Sequence, residues 1–156
     1  MTEPLPFEPE FVASLRGLFE DRIPFNRVIG LVIGELRPDR VHGSLEMKPE
    51  LIGHIGHQRL HGGVISAALD SMGGLAVMAA IGARHMDETP AQRMARYAKL
   101  GTIDLRVDYL RPAIGSRFTL SGEVLRLGSR VASTRMEFRD PAGTLLATGA
   151  AAYIVS

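Results

Sequence analysis

The chain has 156 residues, enough for one domain that buries roughly two-thirds of its unfolded surface in a single core. Its 18 Lys and Arg against 17 Asp and Glu leave a formal charge of +1, which favours neither a nucleic acid nor an anionic membrane as a general partner. The absence of cysteine excludes disulfides, thiolate nucleophiles and Cys-based metal sites, and is compatible with a cytoplasmic location.

Met1 to Pro6 carries acidic and proline residues where an export signal needs a basic start and an apolar run. A single domain is expected over 1–156, with a helical extension at 1–24. Within that extension Phe11, Val12, Leu15, Leu18 and Phe19 recur at helical spacing after Pro9 and Glu10, and Pro24 breaks the pattern. Leu31 to Leu36 and Val41 to Met47 read as strands with Pro38-Asp39 turning between them, and Pro49 to Leu60 reads as a loop. The long segment from His61 to about Ala83 is apolar around its whole circumference, the pattern of a helix buried on nearly every side. Its length would also suit a membrane span. A carboxylate at mid-span, Asp70, costs about 2.5–3.5 kcal/mol even on lenient insertion scales, so a core helix is the better reading. Residues 84–101 are polar and basic, Pro90 prevents one continuous helix, and a mobile crossover is expected. The last third is a strand meander. Ile103, Leu105, Val107 and Tyr109 alternate with Thr102, Asp104, Arg106 and Asp108. Phe118 to Val124 and Ala132 to Phe138 flank a turn at Gly128-Ser129, and Asp140-Pro141-Ala142-Gly143 leads into a final strand. One central helix with five or six mainly antiparallel strands makes an α+β domain.

The chemistry concentrates in Leu60-His61-Gly62-Gly63-Val64 and in Asp70, eight residues after Gly62. A helix start offers backbone N–H groups without intrahelical partners, and glycine lets a ligand atom approach them closely. That suits an oxyanion hole, with the carboxylate farther along as the base or nucleophile of acyl transfer. Eight residues span about 12 Å of helix, so both groups cannot touch one carbonyl from the same chain. A working site therefore needs Gly62 from one subunit and Asp70 from another, across antiparallel helices of an isologous dimer.

Around this pair, His61 fixes the entry of the loop into the helix. His54 and Gln58 lie in a loop that can face the carboxylate and a water. His54, His57 and His61 are closely spaced, but the segment has neither an H-E-x-x-H pattern nor a fourth ligand nearby, so no metal is expected. Arg106, Arg111, Arg126 and Arg130 are candidates for phosphate, with Gly128 allowing backbone approach. Gly73-Gly74, just beyond Asp70, serves either close helix packing or space for an acyl chain.

The run Leu60-His61-Gly62-Gly63-Val64-Ile65-Ser66-Ala67-Ala68-Leu69-Asp70 resembles the HGG-to-Asp signature of hotdog-fold acyl-CoA thioesterases, and Val107-Asp108-Tyr109-Leu110-Arg111-Pro112-Ala113 looks like the strand after that family's central helix. The resemblance is to the 4-hydroxybenzoyl-CoA thioesterase superfamily, on its phenylacetate-pathway-like branch, and covers about residues 25 to 155. It implies a hotdog fold, a curved antiparallel sheet wrapped around the helix, in homodimers with a continuous sheet and often in dimers of dimers. It implies hydrolysis of an acyl-CoA thioester without a further cofactor, Gly62 giving the oxyanion N–H and Asp70 acting as base or nucleophile. His54 stands where many members have asparagine, which leaves the water-orienting role to be shared with His57 or Gln58. His61, Gly63 and Arg111 belong to the substrate surface, and Arg126-Leu127-Gly128-Ser129-Arg130 resembles the hairpin used near the coenzyme A phosphates. A hotdog hydratase or dehydratase and a non-catalytic acyl-CoA sensor are the alternatives.

Overall fold

In the computed structural model, residues 6–156 are described; most of the Met1–Pro6 start, and with it the first part of the expected extension, lies outside the described residues. Pro9 opens α1 (Pro9–Gly17), which buries Phe11 and Leu15 and runs into a π-type turn at Leu18–Arg22. Pro24 does not end the helical region, as its sequence context had suggested. It starts a second helix, α2 (Pro24–Ile29), at the first-turn position where a missing N–H costs little, and Gly30 closes that helix at φ 75°.

The strands are β1 (Val32–Leu36), β2 (Val41–Glu46), β3 (Ile52–His54), β4 (Arg59–Leu60), β5 (Gly101–Tyr109), β6 (Arg117–Leu127), β7 (Val131–Arg139) and β8 (Leu145–Ile154). Six of them form one antiparallel sheet in the order β1-β2-β6-β7-β8-β5, and β3 pairs with β4 alone. The central helix α3 (Gly62–Arg84) packs across β6, β7 and β8, where Phe118, Leu120, Met136 and Phe138 face it from alternate strand positions. Gly122 sets how close the helix lies, since a Cβ there would stand 2.6 Å from the Met72 carbonyl oxygen. A curved antiparallel sheet around a long central helix is the expected hotdog arrangement.

The helix differs from expectation in one respect. Met72 to Ala79 is buried all round, but the first two turns keep an open face along Gly63, Ser66, Ala67 and Asp70. By length and mean hydropathy α3 is the one described helix that would pass for a membrane span, and 72% of its most apolar window is buried inside the fold.

Two connections are more structured than their sequences suggested. Residues 49–60 contain the β3–β4 ribbon and two single 3-10 turns. Residues 84–101 are a packed helical connection rather than a mobile crossover. There Thr89 and Gln92 form a reciprocal capping box at the start of α4 (Pro90–Ala95). Arg93 is fully buried, lies 4.0 Å over the Phe11 ring and pairs with Glu8. The Tyr97 hydroxyl donates to the Met78 carbonyl at 2.7 Å, which ties the connection to α3.

The two edges of the main sheet are treated differently. Along β1, the Ile33 N–H donates to Glu20 and the Ile33 and Gly34 carbonyls accept from Arg16, so side chains of the N-terminal helices occupy that edge. Along β5, the edge away from β8 has no strand or side chain bonded to its backbone among the described residues.

Candidate active site

At the start of α3 the His61 ring caps the helix, its Nδ1 accepting the Gly63 N–H at 2.8 Å. The Val64 and Ile65 N–H groups turn back to the His61 carbonyl at 3.0 and 3.4 Å. Of the two glycine N–H groups, the one on Gly63 is therefore already engaged, and the one on Gly62 makes no hydrogen bond among the described residues. Tyr109, at the end of β5, donates its hydroxyl to the Gly62 carbonyl at 2.7 Å and lays its ring 3.3 Å from where a Cβ on residue 62 would stand. A cavity of about 380 Å³ opens here, bordered by Gly62, Ile65, Tyr109 and Arg111, and the Arg111 guanidinium donates to the Leu145 carbonyl at 2.8 Å.

Asp70 is half-buried rather than enclosed, because it lies on the open face of α3 beside the bare edge of the sheet. Two hydroxyls converge on one of its carboxylate oxygens. Thr102 donates to Oδ1 at 2.9 Å, and Tyr153 lies 3.0 Å from the same Oδ1 and 2.8 Å from the Asp70 carbonyl. Thr102 and Tyr153 are cross-strand neighbours in β5 and β8. A bulge between Thr102 and Asp104 shifts the phase of β5 by one residue. Thr102 therefore shares the helix-facing side with Leu105, Val107 and Tyr109, and Ile103 is turned outward at 57% exposure. Simple alternation had put Thr102 with the polar residues and Ile103 with the apolar ones. Burial, and secondarily the Asp70 charge beside it, holds the Tyr153 phenol protonated well above its ordinary range.

The helix from Gly62 to Asp70 is unbroken, so these two groups stand about 12 Å apart along its axis. His54 and Gln58 are drawn into their own loop. His54 Nδ1 accepts the His57 N–H at 3.2 Å while the two rings stack at 4.7 Å, and the Gln58 amide donates to the Ile55 carbonyl at 2.8 Å from a left-handed backbone at φ 50°. Neither bonds to Asp70 or Gly62 of the same chain. Among the described residues no three His, Asp or Glu side chains gather as a metal-holding group.

The basic hairpin lies at the opposite end of α3 from Gly62, where Arg84 donates to the Leu127 carbonyl at 2.9 Å. Gly128 and Ser129 border a second cavity of about 390 Å³, whose other walls include Arg84, Arg96 and Lys99 from the helical connection. Arg96 is committed to Glu88 at 2.7 Å, which pulls the Glu88 carboxyl below its ordinary range. Lys99, Arg126 and Arg130 make no ion pair among the described residues, whereas Arg106 pairs with Asp108 at 3.2 Å on β5. Hairpin and connection thus present one basic surface.

Residues 57–147 match the family profile described as Thioesterase superfamily. The medium/long-chain acyl-CoA thioesterase YigI of Escherichia coli is 36% identical over 138 residues, which cover 88% of this chain and 89% of that protein. A crystal structure from Shewanella oneidensis, of a protein related to the thioesterase superfamily, superposes with a TM-score of 0.87 at 42% identity, covering 96% of this chain and all of that one. Zebra fish thioesterase superfamily member 2 shares the fold at 20% identity, with a TM-score of 0.74 over 96% of this chain and 99% of its own.

Proposed function

Because the chain belongs to the thioesterase superfamily, we propose that it hydrolyses acyl-CoA thioesters at a site shared between two copies of itself. One observation carries this reading: an unbonded Gly62 N–H at a helix start and a carboxylate held on one oxygen lie on the same rigid helix, too far apart to serve one carbonyl.

The bare edge of β5 supports the second copy. Antiparallel pairing of this nine-residue strand with itself over its full length sets Thr102 opposite Asp108 of the partner subunit, next to Tyr109 of the partner subunit. Thr102 is bonded to Asp70 and Tyr109 to Gly62, so this register brings each Asp70 to the partner subunit's Gly62. The open face of α3 at Gly63, Ser66 and Ala67 is then where the second helix lies. The 52–60 loop borders the same junction, which keeps His54 and Gln58 as water-orienting groups toward the partner subunit's Asp70. Dimers of dimers are a further step of assembly.

In the reaction, the Gly62 N–H and the positive end of the α3 dipole receive the carbonyl oxygen as it gains charge. Asp70 takes a proton from water as the hydroxide adds to the thioester carbon. Collapse of the tetrahedral intermediate breaks the carbon–sulfur bond, and the coenzyme A thiolate takes the proton back. In the alternative order Asp70 attacks the carbon itself, expels the thiolate and is released from the mixed anhydride by water. Label found in Asp70 after a single turnover in heavy-oxygen water identifies the second route, because water that opens the anhydride at the Asp70 carboxyl carbon leaves its oxygen there.

No cofactor beyond the coenzyme A of the substrate enters either route, and a cysteine-free chain suits work in the reducing cytoplasm. The acyl group is apolar in this reading, with medium and long chains first in line from the E. coli relative. Thiol release from short, medium, long and aromatic acyl-CoAs tests the proposal. Medium or long chains should give the highest kcat/KM, and no release from any acyl-CoA would overturn it.

The basic surface at the hairpin receives the nucleotide phosphates. Arg130→Ala should raise KM for acyl-CoA by about three- to tenfold with a smaller effect on kcat, because a remote phosphate contact contributes binding common to ground and transition states. Lys99→Ala should act in the same direction, as Lys99 borders the cavity beside Gly128 and Ser129, the hairpin turn that Arg130 follows. A truncated thioester lacking the nucleotide should be hydrolysed alike by the variants and the parent. Equal losses on both substrates would move the nucleotide away from this surface.

A further inference from the structure

We propose that Tyr153 is a positioning residue for Asp70, which fixes the carboxylate so that Oδ1 is held by donors and Oδ2 is the oxygen that meets water or the thioester carbon. The inference rests on the reading of Asp70 as the catalytic carboxylate.

The Tyr153 hydroxyl reaches both the Asp70 carbonyl at 2.8 Å and Oδ1 at 3.0 Å, so its one proton ties the side chain of Asp70 to the helix backbone at the same residue. A contact to both ends of one residue fixes its χ angles, which a bond to the carboxylate alone would not. Thr102 adds a second donor on Oδ1 at 2.9 Å, and no donor among the described residues reaches Oδ2. The phenol is 1% exposed and delivered from β8, on the sheet side of the helix, whereas Asp70 itself is only half-buried. Its position requires Gly73. Any Cβ at 73 would overlap the Tyr153 hydroxyl and stand 2.9 Å from Cζ. Gly73 lies three residues after Asp70, on the same helix face, and so provides the slot through which a tyrosine from the sheet reaches the Asp70 carboxylate and carbonyl. Neither packing alone nor an acyl channel accounts for a hydroxyl aimed at that residue. The same burial that keeps Tyr153 protonated makes it a donor at every working pH.

Tyr153→Phe removes the hydroxyl and keeps the ring. Its kcat should fall about ten- to thirtyfold, the scale of one lost hydrogen bond to a charged group, with KM changed less than threefold. The loss should vanish in the Asp70→Asn background, where the double variant should be no slower than Asp70→Asn alone. Multiplying losses, or a Tyr153→Phe kcat within twofold of the parent, would overturn the inference. Near-normal activity of Asp70→Asn would instead overturn the catalytic reading beneath it. If Tyr153→Phe does not fold, 4-fluorophenylalanine introduced at 153 fills the hydroxyl volume without a donor, and 3-fluorotyrosine restores the donor. Only the second should then return kcat to within about threefold of the parent.

Discussion

Asp70→Asn should lower turnover by at least about a hundredfold, the loss expected when an acid–base group is removed from a reacting centre, while thermal unfolding stays close to the parent. The substitution is nearly isosteric, and the amide oxygen can still accept from Thr102 and Tyr153, so the local fold has little reason to change. Asparagine can neither take a proton from water nor attack the thioester at neutral pH. Substrate binding should persist, because neither the cavity at Gly62 nor the basic surface at the hairpin uses Asp70. Steady-state thiol release with calorimetric unfolding checks both halves of this expectation. A folded variant that turns over normally would remove Asp70 from the chemistry and restore the acyl-CoA sensor as a reading.

Gly62→Pro should cost about a hundred- to a thousandfold in kcat, the measured scale for loss of one oxyanion donor. Proline deletes the N–H proposed to receive the oxyanion. Residue 62 is the first of the helix, where proline is favoured, and His61 before it already sits at φ −65° and ψ 134°, the region that a residue preceding proline prefers. The ring would press on Tyr109, whose ring lies 3.3 Å from a Cβ at residue 62 and has to give by only a few tenths of an ångström. Stability should therefore change by little while catalysis is lost. Retention of turnover would mean that another donor receives the oxyanion.

The long helix, its glycine entry and the carboxylate eight residues on were legible because each is a local pattern: an apolar run, a cap residue, a lone charge. Strand positions followed from alternation and turn residues. The failures lie where one residue changes a long-range relation. The bulge at Ile103 reverses the facing of Thr102, and nothing local in Gly101-Thr102-Ile103-Asp104 announces it. Thr102 and Tyr153 reach Asp70 through sheet pairing, so their roles had no signal in spacing; the nearest was Gly73, a missing side chain one turn beyond a carboxylate. The 84–101 connection was misread for a different reason. Its capping box, Thr89-Pro90-Ala91-Gln92, was present in the sequence, but the basic composition outweighed it, and the burial of Arg93 depends on Phe11 and Glu8 from far along the chain. The open face of α3 was hidden because Gly63, Ser66 and Ala67 are small enough to suit either a packed core or a surface awaiting a second helix.

The shared site is tested most directly by mixing two inactive variants. Asp70→Asn and Gly62→Pro subunits, each nearly inactive alone, are unfolded, combined in equal amounts and refolded together. Random pairing makes half the dimers hybrids, and each hybrid holds one site with both groups intact and one with neither. About a quarter of the parent activity should therefore return. Mass spectrometry of the intact assemblies establishes that hybrids have formed. Recovery near that fraction is the result predicted for Gly62 and Asp70 acting across two chains, and no recovery from confirmed, folded hybrids would contradict it.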